Sequence, residues 1–325
     1  MKLLINKNIL SALLVFAVAL GFAACNRSGG QGSGGGNKKT VGFSQMENDG
    51  PWRIAETKSM RDEAAKRGYE LVITDAQKQT SKQISDVEDL VARGVAAIFL
   101  APREFEGLAP ALAAAKEAKI PVFLIDREAA GKVGEDYVTF IGSNFVQQGE
   151  RVGEWLATNT GGKAGIIELQ GTAGASVAID RAQGFRNVIG KYPDMKILAS
   201  QPANFSRAEG QKVMENLIQA HGRNITAVYT HNDEMALGAI QALKAANMNP
   251  GKDVKVVSVD GQKSALEAII AGDMNITVES NPRFGPIAFD TYEKFLRGEQ
   301  IPPKIILEDN FYDASNAAKF VAEAY

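Results

Sequence analysis

From Thr40 onward, short apolar runs alternate with longer stretches in which apolar residues recur at helical spacing. Runs of strand length are Val41 to Phe43, Leu71 to Ile73, Val95 to Leu100 and Val122 to Ile125. Ile84, Val87, Leu90 and Val91 share one face of a helix that opens at Thr80-Ser81 and stops at Gly94. Leu108, Ala111, Leu112 and Ala115 do the same before Ile120-Pro121. Unbroken apolar strands with helices between them predict a parallel sheet covered on both faces.

The pattern restarts after Gly142. Strand runs lie at Gly165 to Leu169, Ile197 to Ala199, Ile225 to Thr230, Val254 to Val259 and Ile276 to Val278. Helical patterns begin near Ser176, Ser206, Glu234 and Ser264. Two more helices are expected, from about Arg283 to Arg297 and from about Ala314 to Ala324. The halves echo each other: the run from Pro121 ends in Asp126-Arg127, and the run from Val254 ends in Asp260-Gly261. The expected fold class is α/β, with two doubly wound parallel-sheet lobes and an Asp at the carboxyl end of a corresponding strand in each. Ligands of open α/β sheets sit at those strand ends.

The N-terminus reads differently. Lys2 and Lys7 precede an apolar run from Ile9 to Phe22, broken only by Ser11 and Gly21. That run is short of the ~20 residues a bilayer span needs, and fits a signal-peptide core. It ends in Phe22-Ala23-Ala24-Cys25, which resembles a bacterial lipobox, so residues 1–25 are expected to be a lipoprotein signal with Cys25 lipidated. A plain secretory signal cleaved after an alanine is the alternative. Residues 26–39, rich in Gly and Ser, are expected to be a flexible tether. No strand precedes their glycines, so a dinucleotide fingerprint fails its context.

Composition narrows the function classes. The chain has 325 residues, enough for two ordinary domains, and a net charge of −2, which offers nothing to nucleic acid. Cys25 is the one cysteine, so no intrachain disulfide or Cys-based metal site is possible.

The strand ends carry the chemistry. They read Ser44 to Arg53, Asp126-Arg127, Gly171 to Ser176 with Asp180-Arg181, Asn204-Phe205, His231-Asn232-Asp233, Asp260-Gly261 and Glu279-Ser280-Asn281. A sugar hydroxyl both donates and accepts; carboxylates accept from it, Arg donates, and Asn does both. Trp52 or Phe205 can cover a sugar ring's apolar face. Each residue also has an ordinary structural reading. Trp52 would serve in a core, Asp126 as a cap or an ion-pair partner of Arg127, and Asn232 and Asp233 as helix caps.

These residues resemble those of a known family. The stretch from Glu168 to Arg181, with Val41-Gly-Phe-Ser44, Trp52-Arg53, Asp126-Arg127 and His231-Asn-Asp233, resembles periplasmic sugar-binding proteins of the ribose and galactose class, most of all the galactofuranose-binding subgroup. The resemblance implies the type I periplasmic binding protein fold, whose lobes are joined by a three-crossing hinge near 142–145, 278–283 and 306–310. The N-terminal lobe would then be 40–142 plus 283–306, and the C-terminal lobe 143–282 plus 307–325. It implies ligand contacts at Trp52, Arg53, Asp126, Arg127, Arg181, Phe205, Asn232 and Asp260, with Asn144 and Glu279 near hinge crossings. The expected partners are a monosaccharide and an ABC transporter permease. No cofactor, metal or nucleic acid is expected, and a monomer is. The expected location is the outer side of a bacterial membrane, held by the lipid alone.

Two other function classes make different demands on the sequence. A carbohydrate-active enzyme needs an acid–base pair or an activated nucleophile. The two histidines, His221 and His231, fall in no metalloprotease or nucleophile-elbow motif. A sugar sensor presenting ligand to a membrane receptor would share fold and site, so the site does not separate it from a transport protein.

Overall fold

The computed structural model describes residues 40–325. The expected signal segment, Cys25 and the tether at 26–39 lie outside the described residues. The first sheet is built from β1 (Thr40–Gln45), β2 (Glu70–Asp75), β3 (Ile98–Leu100), β4 (Val122–Ile125), β5 (Thr139–Ser143) and β11 (Lys304–Leu307). Its order is β11-β5-β4-β3-β1-β2, and every pair is parallel. The second sheet contains β6 (Lys163–Gln170), β7 (Asp194–Pro202), β8 (Ala227–Thr230), β9 (Lys255–Asp260), β10 (Ile276–Glu279) and β12 (Phe311–Asp313). Its order, β12-β10-β9-β8-β6-β7, repeats that of the first, with β12 antiparallel to β10.

Helices cover both faces of each sheet, as parallel strands require. On the first, α1 (Pro51–Arg67) and α9 (Gly285–Leu296) pack over one face. There Phe43, Met60, Phe99, Phe123, Phe289 and Tyr292 form an aromatic-rich core. The opposite face is covered by α2 (Thr80–Ala92) and α3 (Ala109–Glu117) through Val87, Leu90, Leu100, Leu112 and Leu124. On the second sheet, α4 (Phe145–Asn159) and α5 (Ser176–Ile189) supply Val152, Leu156, Phe185 and Ile189 to one core. The other core lies under α6 (Arg207–His221), α7 (Asp233–Ala245), α8 (Lys263–Ala271) and α10 (Ala317–Phe320).

The chain passes between the sheets three times: from β5 to α4, from β10 to α9 and from β11 to β12. Ser143 and Leu307, assigned to the second lobe by the sequence reading, pair with each other in the first sheet. The last helix is much shorter than the expected 314–324. Asp313 and Asn316 exchange side-chain and backbone bonds, with Asp313 N–H donating to Asn316 Oδ1 and Ser315 N–H donating to Asp313 Oδ1. This local turn competes with helix until residue 317. Among the described residues no helix is long and apolar enough to cross a membrane.

Candidate functional site

The carboxyl ends of the two sheets face each other across a cavity; the space in and around it not filled by protein atoms, open solvent included, is about 490 Å³. One wall carries Trp52 and Arg53 from the first turn of α1, then Asp126 and Arg127 directly after β4. The other carries Val177 and Arg181 from α5, Phe205 before α6, Asn232 before α7 and Asp260 at the end of β9. The lobes meet at the rim. Phe105 N–H donates to Gly174 O at 2.9 Å, and Glu128 N–H donates to Ser176 Oγ at 3.1 Å.

Each wall holds an arginine against an aspartate. Arg53 is 5% exposed and donates through Nη2 to Asp126 Oδ2 at 2.6 Å and through Nη1 to Glu56 Oε2 at 2.7 Å. Its guanidinium also lies over the Trp52 ring, 4.6 Å from the centroid. Despite burial, these carboxylates hold Arg53 firmly charged. Arg127 sits 3.4 Å from Asp126 Oδ2, donates to Arg103 O, and lies 5.2 Å from the centre of the Phe205 ring. Burial, with the Arg53 charge beside it, lowers Arg127 to about 10. Its Nε is among the buried polar atoms with no hydrogen-bond partner among the described residues.

Across the cavity, Arg181 donates through Nη1 to His231 O and through Nε to Gln148 Oε1 at 2.8 Å. Its Nη2 is 3.5 Å from Asp260 Oδ1. Burial raises the Asp260 carboxyl well above its usual range, against the pull of Arg181. Asp260 and Asp126 both have positive φ, 135° and 64°. The buried wall thus offers guanidinium donors and carboxylate acceptors in near balance. That set fits a neutral polyhydroxy ligand better than an anion, for which unpaired positive charge would be needed.

A family model for the periplasmic binding protein domain matches residues 41–300. The chain belongs to the periplasmic binding protein family. The galactofuranose-binding protein YtfQ of Escherichia coli (strain K12) is 43% identical over 283 residues, spanning 86% of this binding protein and 89% of YtfQ. A crystal structure of a galactofuranose binding protein superposes with a TM-score of 0.86 at 42% identity, covering 88% of this chain and 98% of that one. The periplasmic binding component of the arabinose ABC transporter from Shewanella sp. ANA-3, bound to α- and β-L-arabinofuranose, gives 0.85 at 42% identity, with 87% and 95% covered.

Within this binding protein, Trp52, Arg53, Asp126, Arg127, Arg181, Phe205, Asn232 and Asp260 converge on one cavity. Asn144 and Glu279 do not. Asn144 is exposed and caps α4, its Oδ1 accepting from Gln147 N–H at 3.0 Å. Glu279 turns away to accept from Asn310 N–H and Nδ2 in the third crossing. Asn232 combines both readings given to it, since its Oδ1 caps α7 by accepting from Met235 N–H while the residue lines the cavity. Trp52 donates its indole N–H to Ser280 O at 2.8 Å, so a residue of the first lobe is tied to the second crossing.

The cavity also includes Glu47, Asp49, Gly50, Pro51, Val177, Glu234 and Ser280. Glu47 lies within the strand-end segment Ser44 to Arg53 that follows β1. Val177 carries no chemical signal. It packs with the core of the opposite lobe and is found only once the lobes are docked.

His231 is not a cavity base. Its ring is fully buried and faces away, its Nδ1 accepting from Gly171 N–H at 3.3 Å. The proton therefore sits on Nε2, which donates to Glu168 Oε1 at 3.2 Å. Among the described residues no group of three or more His, Cys, Asp or Glu side chains is placed to hold a metal ion.

Proposed function

We propose that this chain is the substrate-capturing component of an ABC sugar importer, taking a monosaccharide between its lobes. The observation that carries the reading is the matched Arg–Asp arrangement on each sheet, Arg53–Asp126 and Arg181–Asp260, converging on one small cavity. A furanose fits the relatives best, because both aligned structures come from furanose-binding proteins. Asp126 and Asp260 would accept from ring hydroxyls, Arg127 and Arg181 would donate to them, and Phe205 or Trp52 would cover an apolar ring face. Asn144 and Glu279 are left out of this contact set.

The lobes, taken as 40–142 plus 283–306 and 143–282 plus 307–325 with the one-residue adjustments above, would open and close about the three crossings. Sugar bridging both walls would favour the closed arrangement. In this reading the protein works as a monomer outside the bacterial cytoplasm, held to the membrane through Cys25. A Cys25→Ser variant would lose metabolic labelling by radioactive palmitate. The deciding experiment is calorimetry against D-galactose, L-arabinose, D-ribose and D-fructose, paired with small-angle scattering. Saturable binding with a fall in radius of gyration is expected. Hydrolysis of a glycoside without retained sugar would replace this reading with an enzymatic one.

A further inference from the structure

Gln148 lies outside the cavity, yet it touches the ligand wall and the crossings at once. It is 1% exposed and sits on α4, just past the first crossing. Its Oε1 accepts from Arg181 Nε at 2.8 Å. Its Nε2 donates to Asp309 Oδ2 in the third crossing at 2.7 Å and to Glu279 O in the second at 3.2 Å. Asp309 Oδ1 accepts in turn from Ser143 Oγ at 2.9 Å, at the edge of the first crossing. One amide thereby joins the cavity arginine to the second and third crossings, and through Asp309 to the edge of the first.

We propose that Gln148 is a positioning residue for ligand binding, setting the aim of the Arg181 guanidinium according to the arrangement of the hinge. The inference rests on the cavity being the sugar site. An amide suits the role because its two ends differ: the oxygen meets a cation and the nitrogen meets a carboxylate. A carboxylate at this position would still accept from Arg181 but would oppose Asp309. A hydrocarbon would satisfy neither and leave buried charged groups short of partners. The charged groups around the amide are Arg181 on α5, Arg151 on α4, whose Nη1 donates to Asp309 O, and Asp309 and Glu279 in the crossings. Burial holds the Asp309 carboxyl up at about 6 against its donors, so it is ready to share a proton with a second carboxylate.

The test compares wild type, Gln148→Leu, Gln148→Glu and the double variant Gln148→Glu/Asp309→Asn. Sugar affinity is measured at pH 7.5 and 5.5 with whichever of D-galactose, L-arabinose, D-ribose and D-fructose binds the wild type. Gln148→Leu should weaken binding at least tenfold at both pH values. Gln148→Glu should weaken it at least tenfold at pH 7.5, with the deficit shrinking at pH 5.5. The double variant should recover most of the loss, since an asparagine amide at 309 donates to the new carboxylate. Affinity unchanged in the single variants would overturn the proposal. So would a deficit that neither acid nor the second substitution relieves, which marks a packing defect only. Hydrogen exchange of segments 278–283 and 306–312 is read alongside and needs no sugar. Both segments should exchange faster in the single variants than in wild type, and equal protection counts against the proposal. Wild type that binds no sugar would refute the functional reading, and the exchange data would still decide the role of Gln148 in the hinge. Should Gln148→Glu fail to fold, Ser143→Ala, which removes the other donor to Asp309, is read the same way. It should accelerate exchange of both segments, and unchanged protection would overturn the proposal.

Discussion

Asp126 and Asp260 stand at the same place in the two halves of the molecule. Each lies at the carboxyl end of the strand third from the edge of its sheet, β4 in one and β9 in the other. Each has a positive φ, and each faces an arginine near the start of a helix. About Asp126, Arg127 N–H donates back to Ile125 O at 2.7 Å, closing a three-residue turn. A non-glycine residue with positive φ costs on the order of 1–3 kcal/mol. Two such sites at matched strand ends are strain kept where it presents carboxylates to the cavity.

Replacing Asp126 by Ala therefore has two separable effects. Sugar affinity should fall by about a hundredfold, because an acceptor is lost and Arg53 is left with Glu56 alone. Unliganded stability should fall by about 1–3 kcal/mol, because two buried guanidiniums lose a counter-charge. Calorimetric titration and urea melts of the same preparation measure the two. Intact affinity would remove Asp126 from the site.

Glu56 predicts a stability difference with a definite sign. Burial, with the Asp126 charge nearby, raises it from 4.5 to about 7 even though Arg53 pulls it down. Its Oε1 has no hydrogen-bond partner among the described residues. Between those values the folded protein holds a proton that the unfolded chain has released. The group's contribution is thus fully present below about 4.5 and is lost as pH rises through 7. In Glu56→Gln this downward slope between pH 5 and 7 should flatten, with the variant gaining roughly 1–3 kcal/mol relative to wild type at the upper end. Urea melts at intervals of half a pH unit read it directly; parallel curves would show that Glu56 is ionised throughout.

Glu168 has the opposite sign. It lies in the second sheet, where Arg186 Nη2 donates to it at 2.6 Å and Ser200 Oγ donates to the same oxygen, with His231 on the other. Burial opposes the charge, but these donors outweigh it and hold the carboxyl at about 2. Its contribution is present above about 4.5 and is lost as pH falls toward 2. Glu168→Gln should flatten the acid limb of the stability curve. It should also cost about 1–3 kcal/mol at pH 7, because a charged acceptor is lost from beneath buried His231. A variant as stable as wild type at pH 7 would show that the network carries no net energy.

Two glycines test close packing of different kinds. A Cβ on Gly171 would lie 1.9 Å from Phe205 Cζ, so Gly171→Ala must displace the ring at the cavity wall. Affinity should drop at least tenfold, with a smaller change in melting temperature. A Cβ on Gly149 would lie 2.2 Å from Arg181 O, a backbone atom that cannot rotate away. Gly149→Ala should therefore destabilise the fold by about 3 kcal/mol by forcing α4 from α5. Thermal melts and titrations of both variants separate the effects; a reversal of the two patterns would contradict the packing described.

Much of the fold was legible because buried parallel strands are continuous apolar runs with abrupt ends. The run Ile98 to Leu100 is followed closely by Pro102-Arg103, and Val122 to Ile125 gives way at once to Asp126-Arg127. The helix α4 was not legible. Its buried face is Phe145, Gln148, Gly149, Val152, Gly153, Leu156 and Ala157, in which close approach of α5 selects glycine and the hinge network selects glutamine. The usual apolar stripe is thereby broken. β11 and β12 are edge strands of only four and three residues, and the apolar run of β5 is cut to Phe140-Ile141 by Gly142. At the site, the strand-end rule located Asp126 and Asp260 from chemistry alone. Ser280 lies in a strand-end segment that the same rule picks out, whereas Val177 reaches the cavity through lobe docking, which no local pattern encodes.

The return of the chain through β11 and then β12 has a consequence for how the molecule is made. Each sheet receives an edge strand from the same late stretch, Lys304–Leu307 for one and Phe311–Asp313 for the other. No single cut therefore divides the polypeptide into two finished halves. During synthesis both sheets wait, one strand short, until nearly the whole chain has emerged, and they are completed almost together.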